Sequence, residues 1–127
     1  MTRGCRPVVA IGEAQRRAAA WGFLPIGLVT EAKLPFDFMI QMEDTIRIVR
    51  IRRLKYASYG IKNIMRSCAG EIRELCGLAI PEGIIRELWV RGPDRSWHRY
   101  IVRLEGIEAI IMVDAPQENA NNGSYKD

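Results

Sequence analysis

Apolar residues recur at spacings of three and four in two stretches of this chain, and crowd into short β-branched or aromatic runs in several others. Ile11, Ala14, Ala18 and Trp21 form the first helical stripe, which predicts a helix over Val8–Trp21 stopped by Gly22. Ile61, Ile64, Met65, Cys68, Ile72, Leu75 and Cys76 form the second. They predict one amphipathic helix ending at Gly77, whose Met and Ile stripe faces a core. Gly70 weakens that helix by about 1 kcal/mol relative to alanine.

Between the two helices the pattern changes to strands. Phe23–Thr30 reads as a first strand, limited to an edge or a start by Pro25. Phe36–Gln41 and Ile46–Arg52 read as a second and a third, with Met42-Glu43-Asp44-Thr45 as a hairpin turn. Leu54–Tyr59 is a polar, aromatic connector. After the second helix come a loop over Leu78–Gly83 and two strands, Ile84–Val90 and Trp97–Leu104. The turn Arg91-Gly92-Pro93-Asp94-Arg95-Ser96 joins them. Ile107–Val113 is a further strand or a helical turn. The expected fold class is therefore α/β or α+β: helix, three-stranded meander, helix and further strands, with helices packed on a mixed sheet. Residues 1–7 read as a loose arm, 8–113 as a single domain, and 114–127 as a disordered tail with little to bury.

Composition narrows the class. A chain of 127 residues with 48% hydrophobic and 27% charged residues suits one globular domain. No apolar run approaches the ~20 residues of a membrane span, and the first residues lack a signal-peptide apolar region. Cys5, Cys68 and Cys76 form no Cys-x-x-Cys pair. On a helix about 12 Å of rise would separate Cys68 from Cys76, too far for a disulfide. These features predict a reduced, cytoplasmic protein with no membrane partner.

The net charge of +4 is unevenly distributed. Seven cations and no acid fall between Thr45 and Gly70: Arg47, Arg50, Arg52, Arg53, Lys55, Lys62 and Arg66. Such a block is either a solvated face or a surface for a phosphate-rich partner. With Tyr56 and Tyr59, the cations other than Arg50 and Arg52 form the candidate nucleic-acid-binding set. His98, the one histidine, has no Cys or His companion that would make it a metal ligand. No P-loop, dinucleotide fingerprint or nucleophile elbow is present.

Gly12-Glu13 on the first helix, Phe36-Asp37-Phe38-Met39-Ile40 on the second strand, and the element order across residues 8–102 resemble the PD-(D/E)xK nuclease superfamily. This is the restriction-endonuclease-like fold that includes archaeal Holliday-junction resolvases. The resemblance implies a site made of Glu13, Asp37 and the pair Arg50 and Arg52, with Glu13 and Asp37 as ligands of a divalent metal. Arg50 and Arg52 stand where the family has an acid or Gln and a lysine. Residues 50 and 52 share one face of a strand, so the spacing is kept while the chemistry changes. A guanidinium grips phosphate but does not share a proton as lysine does. Read without the resemblance, Asp37 is a strand-end carboxylate paired with Arg50 or Arg52, and Glu13 is an acid near a helix N-terminus. Glu31-Ala32-Lys33 has an acid-x-Lys form but precedes Asp37 in a loop.

Three functions follow. A nuclease-fold protein that has lost catalysis would bind DNA through its basic strand and loop, with no cofactor. An active Mg²⁺-dependent nuclease would need a relocated ligand such as Glu43 or Glu31. An interaction module would bind a protein partner or form a homodimer without nucleic acid. The first is the expectation adopted. For the tail, deleting residues 117–127 is expected to leave the thermal midpoint unchanged within error in a calorimetric scan, and a drop of several degrees would show that it docks.

Overall fold

The structure, a computed structural model, describes residues 7–28, 34–42 and 44–110. Over these residues it is a mixed α+β fold of three helices and a six-stranded open sheet in sequential strand order. Helix α1 (Val8–Ala20) precedes the antiparallel meander of β1 (Leu24–Leu28), β2 (Phe38–Met42) and β3 (Thr45–Arg53). Helices α2 (Ile61–Ser67) and α3 (Ala69–Cys76) then carry the chain across the sheet. Strand β4 (Ile85–Arg91) runs parallel to β3, and β5 (Trp97–Arg103) and β6 (Gly106–Ile110) complete the sheet antiparallel. Among the described residues, no helix is long and apolar enough to cross a membrane.

Each element has a local cause. The end of α1 is held by Gly22 at φ 89°, with Gly22 N–H donating to Ala19 O and Phe23 N–H to Ala18 O. This is the paired hydrogen bonding of a glycine-terminated helix. The β2–β3 turn is tighter than expected, because Met42 already pairs with Thr45. The single helix expected over 61–76 is two. Cys68, at φ −113° and ψ 25°, breaks the helical dihedrals two residues before the weak former Gly70. The terminal apolar run forms strand β6, rather than a helical turn, over its described part. The tail from Asp114, arm residues 1–6, and Glu31 and Glu43 lie outside the described residues.

Alternation along the strands divides the core between the two faces. Ala10, Ile11, Ala14 and Ala18 of α1 pack on Phe38, Ile40, Val49, Ile51, Trp89 and Trp97. Three alanines in that stripe let the helix lie close over large rings. On the other face, Ile64, Cys68 and Leu75 pack on Ile48, Leu88, Val90, Tyr100 and Val102. Cys68 is buried, and burial lifts its thiol to about 11, so it is a protonated core residue and not a nucleophile.

A polar cluster sits within the α1-side core. Glu87 is 0% exposed. Its carboxylate accepts Arg99 Nε and Nη2, each at 3.1 Å, Trp89 Nε1 at 2.7 Å, and Arg47 Nη1. The Arg99 guanidinium also lies over the rings of Phe23, Trp89 and Trp21, at 4.7, 5.2 and 5.7 Å from their centroids. Burial disfavours the Arg99 charge, and Glu87 offsets that effect. Removing the shared anion would strand two largely buried cations. Glu87→Ala is therefore expected to destabilise the fold by roughly 3–5 kcal/mol, read as a lower denaturant midpoint, and an unchanged midpoint would contradict this account.

Candidate functional site

The residues expected to form one site are divided by the sheet. Val49 and Ile51 face α1, so Arg50 and Arg52, one residue out of phase, face α2 and α3. Arg50 Nη1 donates to Glu74 Oε1 at 3.0 Å and to Pro35 O at 2.8 Å. Arg52 Nη1 donates to Glu71 Oε2 at 2.7 Å and to Ser67 O, at the end of α2, at 3.1 Å. Both arginines tie helices and the chain before β2 to the sheet. Glu13 lies on the opposite side, with its Oε1 2.8 Å from Arg91 Nε.

Asp37 is buried and performs a backbone task. Its N–H donates to Val49 O at 2.7 Å, and its Oδ2 accepts the Ile51 N–H at 2.7 Å. As the chain leaves the sheet before β2, the carboxylate supplies the acceptor that the next strand residue would have provided. Glu13 and Asp37 thus serve different contacts, and Arg50 and Arg52 point to the far face from Glu13. These positions do not fit a shared divalent-metal site. Among the described residues, no three His, Cys, Asp or Glu side chains gather as metal ligands.

The basic block is divided as well. Arg47, Arg50 and Arg52 are ion-paired, to Glu87, Glu74 and Glu71. Lys62 and Arg66 are exposed on α2, where Arg66 bonds Asn63. Arg53, Lys55 and Tyr56 are exposed at the end of β3 and in the connector after it. Tyr59 turns inward. It stacks on His98 at 3.6 Å and 16°, and its hydroxyl donates to Asp94 Oδ1 at 2.6 Å. Gly92 is required beneath it, because a Cβ there would lie 1.6 Å from the Tyr59 hydroxyl.

Tertiary structure also assembles a site that the sequence pattern does not show. Arg16 and Arg17 of α1, Arg91 at the end of β4, and Arg95 in the β4–β5 turn line an open groove of about 510 Å³ with Val9 and Glu13. Among the described residues, four guanidinia face one carboxylate, Glu13, which is already against Arg91. Among the described residues, Arg16, Arg17 and Arg95 have no ion-pair partner. Parallel register puts Arg53 opposite Arg91 at this same end of the sheet. Arg95 has φ 67°, a left-handed conformation that glycine adopts without cost and other residues rarely do. The faint sequence signal was an arginine in a Gly-Pro-Asp turn, where small residues suffice.

Asp94, Ser96 and His98 come together beside Tyr59. Ser96 Oγ lies 2.7 Å from Asp94 Oδ1 and 3.0 Å from His98 Nε2. The carboxylate is the stronger acceptor, so the serine hydroxyl donates to Asp94 and His98 Nε2–H donates to Ser96. This tautomer follows from the hydrogen bonds, and it leaves no imidazole lone pair to activate the serine. The cluster therefore fastens a turn and is not a nucleophile–base pair. Tyr59 and Ser96 hold Asp94 down to about 2.

The geometry defines a mixed α+β protein with an open cationic groove at one end of its sheet. No protein-family model and no curated protein matches the chain.

Burial pulls the His98 imidazole below its ordinary value, with Asp94 pulling the other way. The folded chain then binds this proton less readily than the unfolded chain does. Its stabilising contribution is complete above about pH 6.5 and is lost as pH falls through the lower folded value. Asp94 stays ionised across that window. The thermal midpoint of the wild type is expected to fall between about pH 7 and pH 5 by more than that of His98→Gln. Equal falls in the two proteins would show that His98 does not contribute.

Proposed function

We propose that this protein binds nucleic acid by its phosphate backbone at the cationic end of the sheet, and does not cleave it. The observation that carries the reading is the groove, where Arg16, Arg17, Arg91 and Arg95 surround the carboxylate of Glu13. Among the described residues its lining has one apolar side chain, Val9, and no ring, which suits phosphates rather than an apolar ligand. Arg53 extends the positive edge along the sheet, and Lys55 follows it in the connector. Arg95 adds to the argument because a guanidinium is kept at a backbone position that favours glycine.

The resemblance to PD-(D/E)xK nucleases supports the same ligand class. The order α1, β1–β3, α2 with α3, then β4 is the order it implies. The non-cleaving half of the reading rests on where the charged groups are engaged. Glu13 is held by Arg91, Asp37 caps the β2–β3 ladder, and Arg50 and Arg52 anchor helices on the far face.

The test is binding of labelled DNA by anisotropy across a salt series, with Arg95→Gly beside the wild type. About four phosphate contacts give a log–log salt slope near −3.6 on duplex, or near −2.8 on a single strand. Arg95→Gly is expected to flatten the slope by roughly one contact, while raising stability by about 1 kcal/mol through relief of the left-handed backbone. No DNA binding at low salt, or binding only to anionic phospholipid vesicles, would overturn the reading. Plasmid cleavage with Mg²⁺ or Mn²⁺ that disappears in Asp37→Ala would overturn its non-cleaving half.

A further inference from the structure

The connector between β3 and α2 is fixed at many points, yet it presents one unused aromatic ring. Leu54 N–H donates to Arg91 O at 2.9 Å, which fastens the start of the segment to the end of β4. Ser58 N–H donates to Tyr56 O at 3.0 Å, and Asn63 Nδ2 donates to Ser58 Oγ at 2.5 Å. Tyr100 Oη donates to Tyr59 O at 2.5 Å, and the Tyr59 ring is clamped between His98 and Asp94. Tyr56 stands within this braced segment and is 75% exposed. Among the described residues, its ring makes no aromatic contact and its hydroxyl no hydrogen bond. Lys55 precedes it and Arg53 lies just before, both exposed. The segment starts on Arg91 and ends on the turn that carries Arg95, so the ring stands at the same end of the sheet as the groove.

We propose that the bound polymer is a single strand, with one of its unpaired bases stacked on the Tyr56 ring while its phosphates lie on the cationic end of the sheet. This rests on the phosphate-binding reading above and names the form of the ligand. A ring on a fastened loop loses little conformational freedom when a base covers it, and every base offers a π-face, so the contact is tolerant of sequence. Bases inside a duplex have both faces covered by their neighbours and cannot make this contact. Cations beside an exposed aromatic are the combination that single-strand binding uses.

The experiment compares three probes of equal length by anisotropy at low salt: an oligothymidylate, a mixed-sequence duplex, and a strand of abasic deoxyribose phosphates. The wild type is expected to bind the oligothymidylate tightest. Tyr56→Ala should weaken that probe alone, by roughly 5- to 150-fold, the range for one lost base–aromatic stack. Tyr56→Phe, which keeps the π-face, should bind as the wild type does. Equal binding of the abasic and thymidine strands, tighter binding of the duplex, or an unchanged affinity in Tyr56→Ala would each overturn the single-strand proposal and leave the phosphate reading standing. Failure to bind any of the three probes would overturn both.

Discussion

The buried carboxylate of Glu87 is the contact on which the α1 side of the molecule depends. It sits at the centre of β4 and draws Arg47 from β3, Arg99 from β5 and the Trp89 indole into one cluster. Two arginines beneath a helix would ordinarily be expelled by their desolvation cost. A shared, fully hydrogen-bonded anion and three aromatic faces allow them to remain. The strands that flank β4 are thereby tied across their side chains as well as through the ladder. Trp21, Phe23, Phe38 and Trp97 then pack around Trp89 at centroid distances of 5.4 to 6.4 Å.

The same economy of charge runs through the opposite face. Arg50 and Arg52 reach Glu74 and Glu71, and Arg86 donates to Leu75 O in the last turn of α3 and to Leu78 O just beyond it. Cations placed where helices end meet unsatisfied carbonyls and a favourable dipole. These arginines hold the crossover helices in place, and that crossover makes β4 parallel to β3. Parallel pairing in turn carries the ends of β3 and β4 to one edge, where Arg53 and Arg91 meet the β4–β5 turn. Arg16, Arg17 and Arg95, which have no ion pair among the described residues, lie there beside Arg91 and give the molecule its cationic end.

The local periodicities were legible in the amino-acid order. Alanine and isoleucine at helical spacing placed α1, the β-branched runs placed β2 to β5, and Pro25 limited β1 to an edge or a start. The kink at Cys68 was not legible, because the apolar stripe continues unbroken through it. The role of Asp37 was not legible either. A carboxylate that replaces a ladder acceptor looks, in one dimension, like any strand-end acid. Arg50 and Arg52 were correctly read as sharing a face, but which face, and which glutamates waited there, depended on how α3 crosses the sheet.

Hydrophobic period and turn chemistry are properties of neighbours along the chain, so the sequence by itself determined most of the elements, their order, an α/β or α+β class with a mixed sheet, and the excess of positive charge. Whether a given charge is neutralised depends on partners far away in sequence. The cationic block between Thr45 and Gly70 carries no acid of its own, yet packing supplies Glu71, Glu74 and Glu87 to three of its arginines. Arg16, Arg17, Arg91 and Arg95, drawn from a helix near one end of the chain and a turn near the other, gave no shared pattern to read. Tertiary structure alone decided which cations became internal ties and which remained at the surface, because Coulomb energy and desolvation act through space rather than along the chain.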